Sequence, residues 1–174
     1  MSKAVMLSIR PKWCEKIING DKTIEVRKTR PKMDTPFKCY IYCTLPKYPH
    51  EDFIATDYPR PQFYGGGKVI GEFVCDCITP LYNVCMDDWK RLAGGLHNIE
   101  KELVNQACLT EAELHTYAGG KNCFAWHISD LRIYEQPRKL EESAGIRAMK
   151  NGFELRLLNR PPQSWCYVEV MKDG

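Results

Sequence analysis

An α+β fold built mostly from antiparallel strands is what this 174-residue sequence predicts, and three observations predict it. Runs rich in β-branched, aromatic or cysteine residues fall at 4–9, 23–28, 38–44, 68–79, 122–134 and 164–170. Helix-like spacing is confined to short stretches at 12–19, 84–92, 97–107 and 110–118. The two kinds of element do not alternate regularly. Long irregular connections join them, which favours a small mixed or closed antiparallel sheet over βαβ units.

The first strand runs into Arg10-Pro11, where proline suits a first helical turn. Lys12 to Asn19 then places Trp13, Cys14, Ile17 and Ile18 on one side of a helix, and Gly20 is the expected left-handed stop. In the next strand Ile24 and Val26 alternate with Thr23, Glu25 and Arg27 on the other face. Opposite charges two residues apart, with Lys22 at the turn, make a fixed polar cluster beside a helix end. Such a cluster suits a phosphate, a base or a reacting carbonyl; a half-exposed strand with a solvated ion pair shows the same alternation.

Strand 38–44 carries Cys39 and Cys43 on one face, and strand 68–79 carries Cys75 and Cys77 likewise. Four sulfurs meet if those strands pair, a set that tetrahedral zinc accepts. Yet the chain has no C-x-x-C pair, and free cysteine is commonly buried. Core packing is therefore expected, and no metal or cofactor is assigned. Between these strands, Pro46 to Gly67 holds Pro49, Pro59, Pro61 and several aromatics and reads as a long loop, a docking or stacking surface or one pinned to the body. The helix at 110–118 opens on Thr110 with Glu113 three residues on, a capping box, and closes at Gly119-Gly120. Trp126-His127-Ile128-Ser129 puts His127 and Ser129 on one strand face, as a catalytic relay or plain strand alternation would. A second loop, charged and mixed, covers 141–160 and ends at Arg160-Pro161-Pro162. The expected organisation is one domain over 1–174 with loop insertions near 46–67 and 141–160.

No apolar run approaches the roughly 20 residues of a membrane span, and Arg10 interrupts the N-terminal apolar stretch before a signal peptide develops. Nine cysteines without an export signal point to reduced thiols and a cytoplasmic location. Net charge is +3, but residues 1–38 carry ten Lys or Arg against four Asp or Glu. That asymmetry draws a phosphate-bearing partner to the motif's side, or simply guards a sheet edge.

Gly20-x-Lys22-x-x-Glu25-x-Arg27 after a short helix resembles the signature of the ASCH domain. The opening Met6-Leu7-Ser8-Ile9-Arg10-Pro11 resembles that family's first strand and helix entry. Val69-Ile70-Gly71-Glu72-Phe73, Phe124-Ala125-Trp126-His127-Ile128 and Pro161 to Val168 resemble its shorter members from bacteria and phages. The resemblance implies a PUA-like β-barrel with short flanking helices, and RNA or a modified nucleoside as ligand. It also implies a candidate binding set of Ser8, Arg10, Lys22, Glu25, Arg27, Trp126, Ser129 and Trp165, in which tryptophans stack bases and cations meet phosphates. One enzyme group of the family hydrolyses acetylcytidine with a lysine, a threonine and a glutamate. Its lysine matches Lys22, but Glu25 stands at its threonine position and the region around Gln106-Ala107-Cys108 offers no carboxylate, so that activity is not expected here. A second group cleaves single-stranded RNA, and its motif lysine also matches Lys22, the one candidate catalytic residue. A metal-independent hydrolase acting on single-stranded RNA or on a modified nucleoside, and a protein-interaction module, remain the alternatives to RNA or nucleoside binding.

Overall fold

A computed structural model describes residues 2–45, 53–55, 62–81 and 98–171. In chain order the elements are β1 (Lys3–Ile9), α1 (Pro11–Ile18), β2 (Ile24–Arg27), β3 (Phe37–Cys43), β4 (Phe53–Ala55) and β5 (Gln62–Tyr64). They continue as β6 (Lys68–Cys75), β7 (Ile78–Leu81), α2 (Asn98–Gln106), α3 (Glu111–Ala118), β8 (Cys123–His127) and β9 (Ser129–Lys139). After a 3-10 turn at Leu140–Glu142 come β10 (Ala144–Met149), β11 (Gly152–Leu157) and β12 (Trp165–Glu169).

Seven strands pair in the order β11-β10-β12-β1-β3-β6-β9, three as β2-β8-β7, and β4 pairs with β5. Among the described residues every pairing is antiparallel except β1 with β3, whose register runs Val5 beside Cys39 through Ile9 beside Cys43. The fold is thus α+β with a mostly antiparallel sheet and short helices, as expected. Among the described residues the ladders run open, from β11 to β9 and from β2 to β7, and do not close into the barrel that the resemblance implied.

Two chain segments leave one sheet for the other. The expected strands 68–79 and 122–134 each divide, because β6 hands over to β7 at Asp76-Cys77 and β8 to β9 at Ile128. Such corners are how one chain serves two packed sheets. The corners are stitched together: His127 donates its backbone N–H to the Cys77 carbonyl, Ser129 Oγ donates to the Val74 carbonyl at 2.9 Å, and His127 Nδ1 lies 2.6 Å from Asp76 Oδ1. Asp130 takes a left-handed φ of 46°, a conformation that aspartate tolerates better than most side chains.

Alternation along the strands sorts the core into layers. Val5, Leu7 and Ile9 of β1 and Cys39, Ile41 and Cys43 of β3 face one way, onto Ile17, Phe73 and Trp126. Ala4, Met6, Tyr40 and Tyr42 face the other way, onto Tyr134, Leu140 and Val168. A third cluster joins the outer face of β2 and β8 to α2 and α3 through Ile24, Val26, Val104, Leu114 and Ala125. The helix expected at 84–92 lies outside the described residues. Within 46–67, read as loop, β4 and β5 form an antiparallel pair. The expected second loop, 141–160, instead holds the β10–β11 hairpin, whose apolar residues are interleaved with Ala, Gly and charges and so escape a composition-based reading.

Candidate functional site

Three local structures bring the motif together. Pro11 starts α1, whose first turn is closed by the Trp13 and Cys14 N–H groups donating to the Arg10 carbonyl. The helix stops at Gly20, where φ is +80°, a backbone conformation that costs a side chain but not glycine. The turn is then fastened on both sides: Lys22 N–H donates to the Lys16 carbonyl at 3.0 Å and Thr23 N–H to the Gln106 carbonyl at 3.0 Å. This aims Lys22, Glu25 and Arg27 to the same side.

The three side chains form a buried chain of charge. Lys22 is 3% exposed, and Glu25 and Arg27 are 7% each. Lys22 Nζ lies 3.3 Å from Glu25 Oε2, and Glu25 Oε1 lies 3.0 Å from Arg27 Nη2. Lys22 Nζ also donates to the Ala107 carbonyl at 2.8 Å and sits 5.1 Å from the centre of the Trp13 ring. Arg27 donates from Nη2 to the Ser8 carbonyl at 2.8 Å and from Nη1 to Ser164 Oγ at 3.3 Å. Its Nε is buried with no hydrogen-bond partner among the described residues. Buried charges persist only when paired and hydrogen-bonded. This triad meets the requirement almost fully and keeps one donor over.

The triad opens into a cavity of about 630 Å³. Among the described residues, Arg10, Lys12, Lys22, Arg27 and Lys28 line it against Glu25 and Glu113, with Trp13 and Tyr117 as aromatic walls. Lys12 stands 4.2 Å from the Trp13 ring centre and Lys28 5.2 Å from that of Tyr117, so each aromatic face carries a cation. Burial pushes the Tyr117 hydroxyl above its ordinary range, partly relieved by Arg27. On the rim, the backbone N–H and then the hydroxyl of Thr110 hold the Glu113 carboxyl below its usual range, as the expected capping box requires.

The sequence-predicted residues divide clearly. Ser8, Arg10, Lys22, Glu25 and Arg27 all line the cavity. Lys22 is not at a surface turn: the N–H of the turn itself is fastened, and its ammonium is covered by Trp13 and α2's end. Trp126 is wholly buried between Phe37 and Trp165, in no position to stack a base. Trp165 packs on Tyr167 and donates from Nε1 to Thr29 Oγ1 at 2.9 Å, so it holds a rim residue instead of facing the cavity. Ser129 and His127 belong to the sheet corner described above and form no relay with each other; His127 pairs with Asp76.

Trp13, Tyr117, Gln163 and Ser164 line the cavity without having been anticipated. Trp13 was legible only as an apolar helix residue; its sequence signal was the neighbouring Lys12. Tyr117 and Ser164 come from distant segments that only the fold brings in. As for the cysteines, Cys39, Cys43 and Cys75 pack in the core while Cys77 is exposed at the corner. Burial, then Asp76, pushes the Cys75 thiol up to about 12, far from a metal-binding thiolate. Among the described residues no three His, Cys, Asp or Glu side chains are grouped to hold a metal ion, and no helix is long and apolar enough to cross a membrane.

No protein-family model and no curated relative matches the chain. Solved structures do. The ASCH protein of Zymomonas mobilis aligns with a TM-score of 0.61 at 19% identity, over 96% of this chain and 88% of that one. Two single-substitution variants of that protein align with TM-scores of 0.59 and 0.57, at 18% and 19% identity. Each covers 96% of this chain and 91% or 89% of its own.

Proposed function

We propose that this chain, which has the ASCH-domain fold, binds single-stranded RNA or a modified nucleoside in the cavity at Lys22, Glu25 and Arg27. One observation carries the reading: a concave site with five cationic and two acidic linings among the described residues, walled by Trp13 and Tyr117, over a buried triad whose Arg27 Nε has no partner among them. Cations that follow phosphates beside aromatic faces that take bases are the parts single-strand recognition uses. Glu25 fixes the Arg27 guanidinium, and Lys22 fixes Glu25, so the donor is held in place before a ligand arrives. Arg10, Lys12 and Lys28 are exposed and free of the triad, which suits them to backbone contacts. A PUA-like arrangement of the strands around this cavity belongs to the same reading.

The test is a fluorescence-anisotropy titration of labelled single-stranded RNA at several salt concentrations. Affinity falls as salt rises, with a log–log slope of about −0.7 for each phosphate contacted. Arg10→Ala, Lys12→Ala and Lys28→Ala are each expected to flatten that slope by roughly 0.7 where the side chain meets a phosphate. Absence of binding at low salt ends the nucleic-acid reading, and salt-insensitive binding of a free nucleoside moves it to the small-ligand form. Cleavage by the same site is the alternative function. It is separated by incubating the RNA with the parent and with Lys22→Met, scored only where melting shows the variant folded. Loss of a charge stabiliser costs cleavage on the order of 10²-fold.

A further inference from the structure

The β10–β11 hairpin ends the large sheet, and β11 has no strand beyond it among the described residues. Residues directly opposite in an antiparallel pair share a face. The register Ala144 beside Leu157, Ile146 beside Leu155 and Ala148 beside Phe153 therefore makes one face of this ribbon wholly apolar. Phe153 is 55% exposed and Leu157 68%, with Leu155 exposed between them. The other face carries Arg147, Glu154 and Arg156.

The open edge can be read for hydrogen bonding. Leu158 N–H donates to the Ser143 carbonyl at 2.9 Å, so the pair Ser143 and Leu158 is a hydrogen-bonded one. Pairs alternate between bonded and non-bonded along an antiparallel ladder. Glu154 and Arg156 thus turn their backbone groups toward β10, and Phe153, Leu155 and Leu157 turn theirs outward. An uncovered edge of this kind is a template for another strand.

From this we infer that β11 pairs antiparallel with β11 of a second copy of this chain, about a two-fold axis through Leu155. Only this register satisfies every condition at once. It places Leu155 opposite Leu155 and Phe153 opposite Leu157, all with outward backbone groups. It places Glu154 of each copy opposite Arg156 of the other, on the polar face. Centring the axis on Glu154 sets glutamate against glutamate, and centring it on Arg156 sets arginine against arginine. A shift by half a residue lays the apolar face of one ribbon beside the charged face of the other. A two-fold interface demands a self-complementary strand, and Phe153-Glu154-Leu155-Arg156-Leu157 is one. In the single chain Arg156 Nε already lies 3.1 Å from Glu154 Oε1, but that pair is exposed and easily exchanged for the partner's.

Sedimentation velocity over roughly 1 to 200 µM reads the association directly. The parent is expected to pass from monomer to dimer across that range. Glu154→Arg alone, and Arg156→Glu alone, each set like charges opposite one another twice and should weaken dimerisation roughly tenfold or more. Mixing these two variants restores opposite charges at both positions, so the mixture should dimerise again as a heterodimer. Arg156 is exposed and Glu154 half-buried on the polar face, and an unchanged circular-dichroism melt shows that the fold survives. A parent that stays monomeric throughout overturns the inference. So does a dimer indifferent to the single reversals, or a mixture that fails to recover.

Discussion

Lys22 shows how far one residue's setting departs from its neighbours in sequence. Beside an exposed Asp21 and just after an exposed Gly20 it reads as a turn residue, yet its ammonium is enclosed and holds the Ala107 carbonyl and Glu25 together. Removing one member of a buried charge set leaves the others unpaired, typically a loss of 3–5 kcal/mol. Because Arg27 still faces Glu25, Lys22→Ala should cost about 3 kcal/mol, read as a lowered urea midpoint with an unchanged slope. Glu72 is a second buried carboxylate with a testable setting. Burial raises its pKa, but hydrogen bonds from Lys38 at 2.8 Å and Tyr134 at 2.6 Å outweigh it, and the net direction is down. A carboxyl lowered by folding adds stability that is complete above its unfolded pKa, about 4.3, and is lost as pH falls through the folded value. Glu72→Gln should therefore lower the urea midpoint at neutral pH and flatten its decline in acid below about pH 4.

Among the elements, β6 is held from both sides, by β3 and by β9. Its register slips between Val69 and Gly71 on the β9 side, and a Cβ on Gly71 would meet the Arg132 carbonyl oxygen at 2.5 Å. Backbone cannot step aside as a side-chain tip can. Gly71→Ala should destabilise by about 1–3 kcal/mol, the range for overpacking, with a matching drop in thermal midpoint. Elements with strong local grammar were legible from sequence: α1 between Pro11 and Gly20, α3 between its capping box and Gly119, and the apolar runs of β1, β3 and β12. Three kinds of feature were not. Corners at Asp76-Cys77 and Ile128 interrupt runs that look continuous, because alternation persists while the sheet changes. The β10–β11 hairpin mixes Ala, Gly and charged residues with Ile146, Phe153, Leu155 and Leu157, and its apolar face stays outside. Trp126 and Trp165 looked like stacking surfaces because sequence reports size and aromaticity but not depth.

At the scale of the molecule, the cavity is walled by β1, α1, β2, α3 and the segment before β12, so a ligand there adds to the bonds by which Arg27 already ties β2 to β1 and to that segment. Ligand bound to the folded state alone stabilises it by about 2.7 kcal/mol at a hundredfold excess over Kd. Saturating RNA or nucleoside should raise the melting midpoint by a few degrees, and Arg27→Ala should abolish that rise even where the variant itself remains folded. The position of β1 has a consequence in time. It lies between β3, which follows it closely, and β12, which is made more than a hundred and fifty residues later. At ribosomal speeds of 5–20 residues per second, the β12 side of β1 waits roughly ten to thirty seconds for its neighbour. Ser164, which steadies Arg27, arrives with that same last strand. A chain in which β12 has not yet been made therefore has the motif but not its finished guanidinium clamp, and competence for ligand waits for that strand.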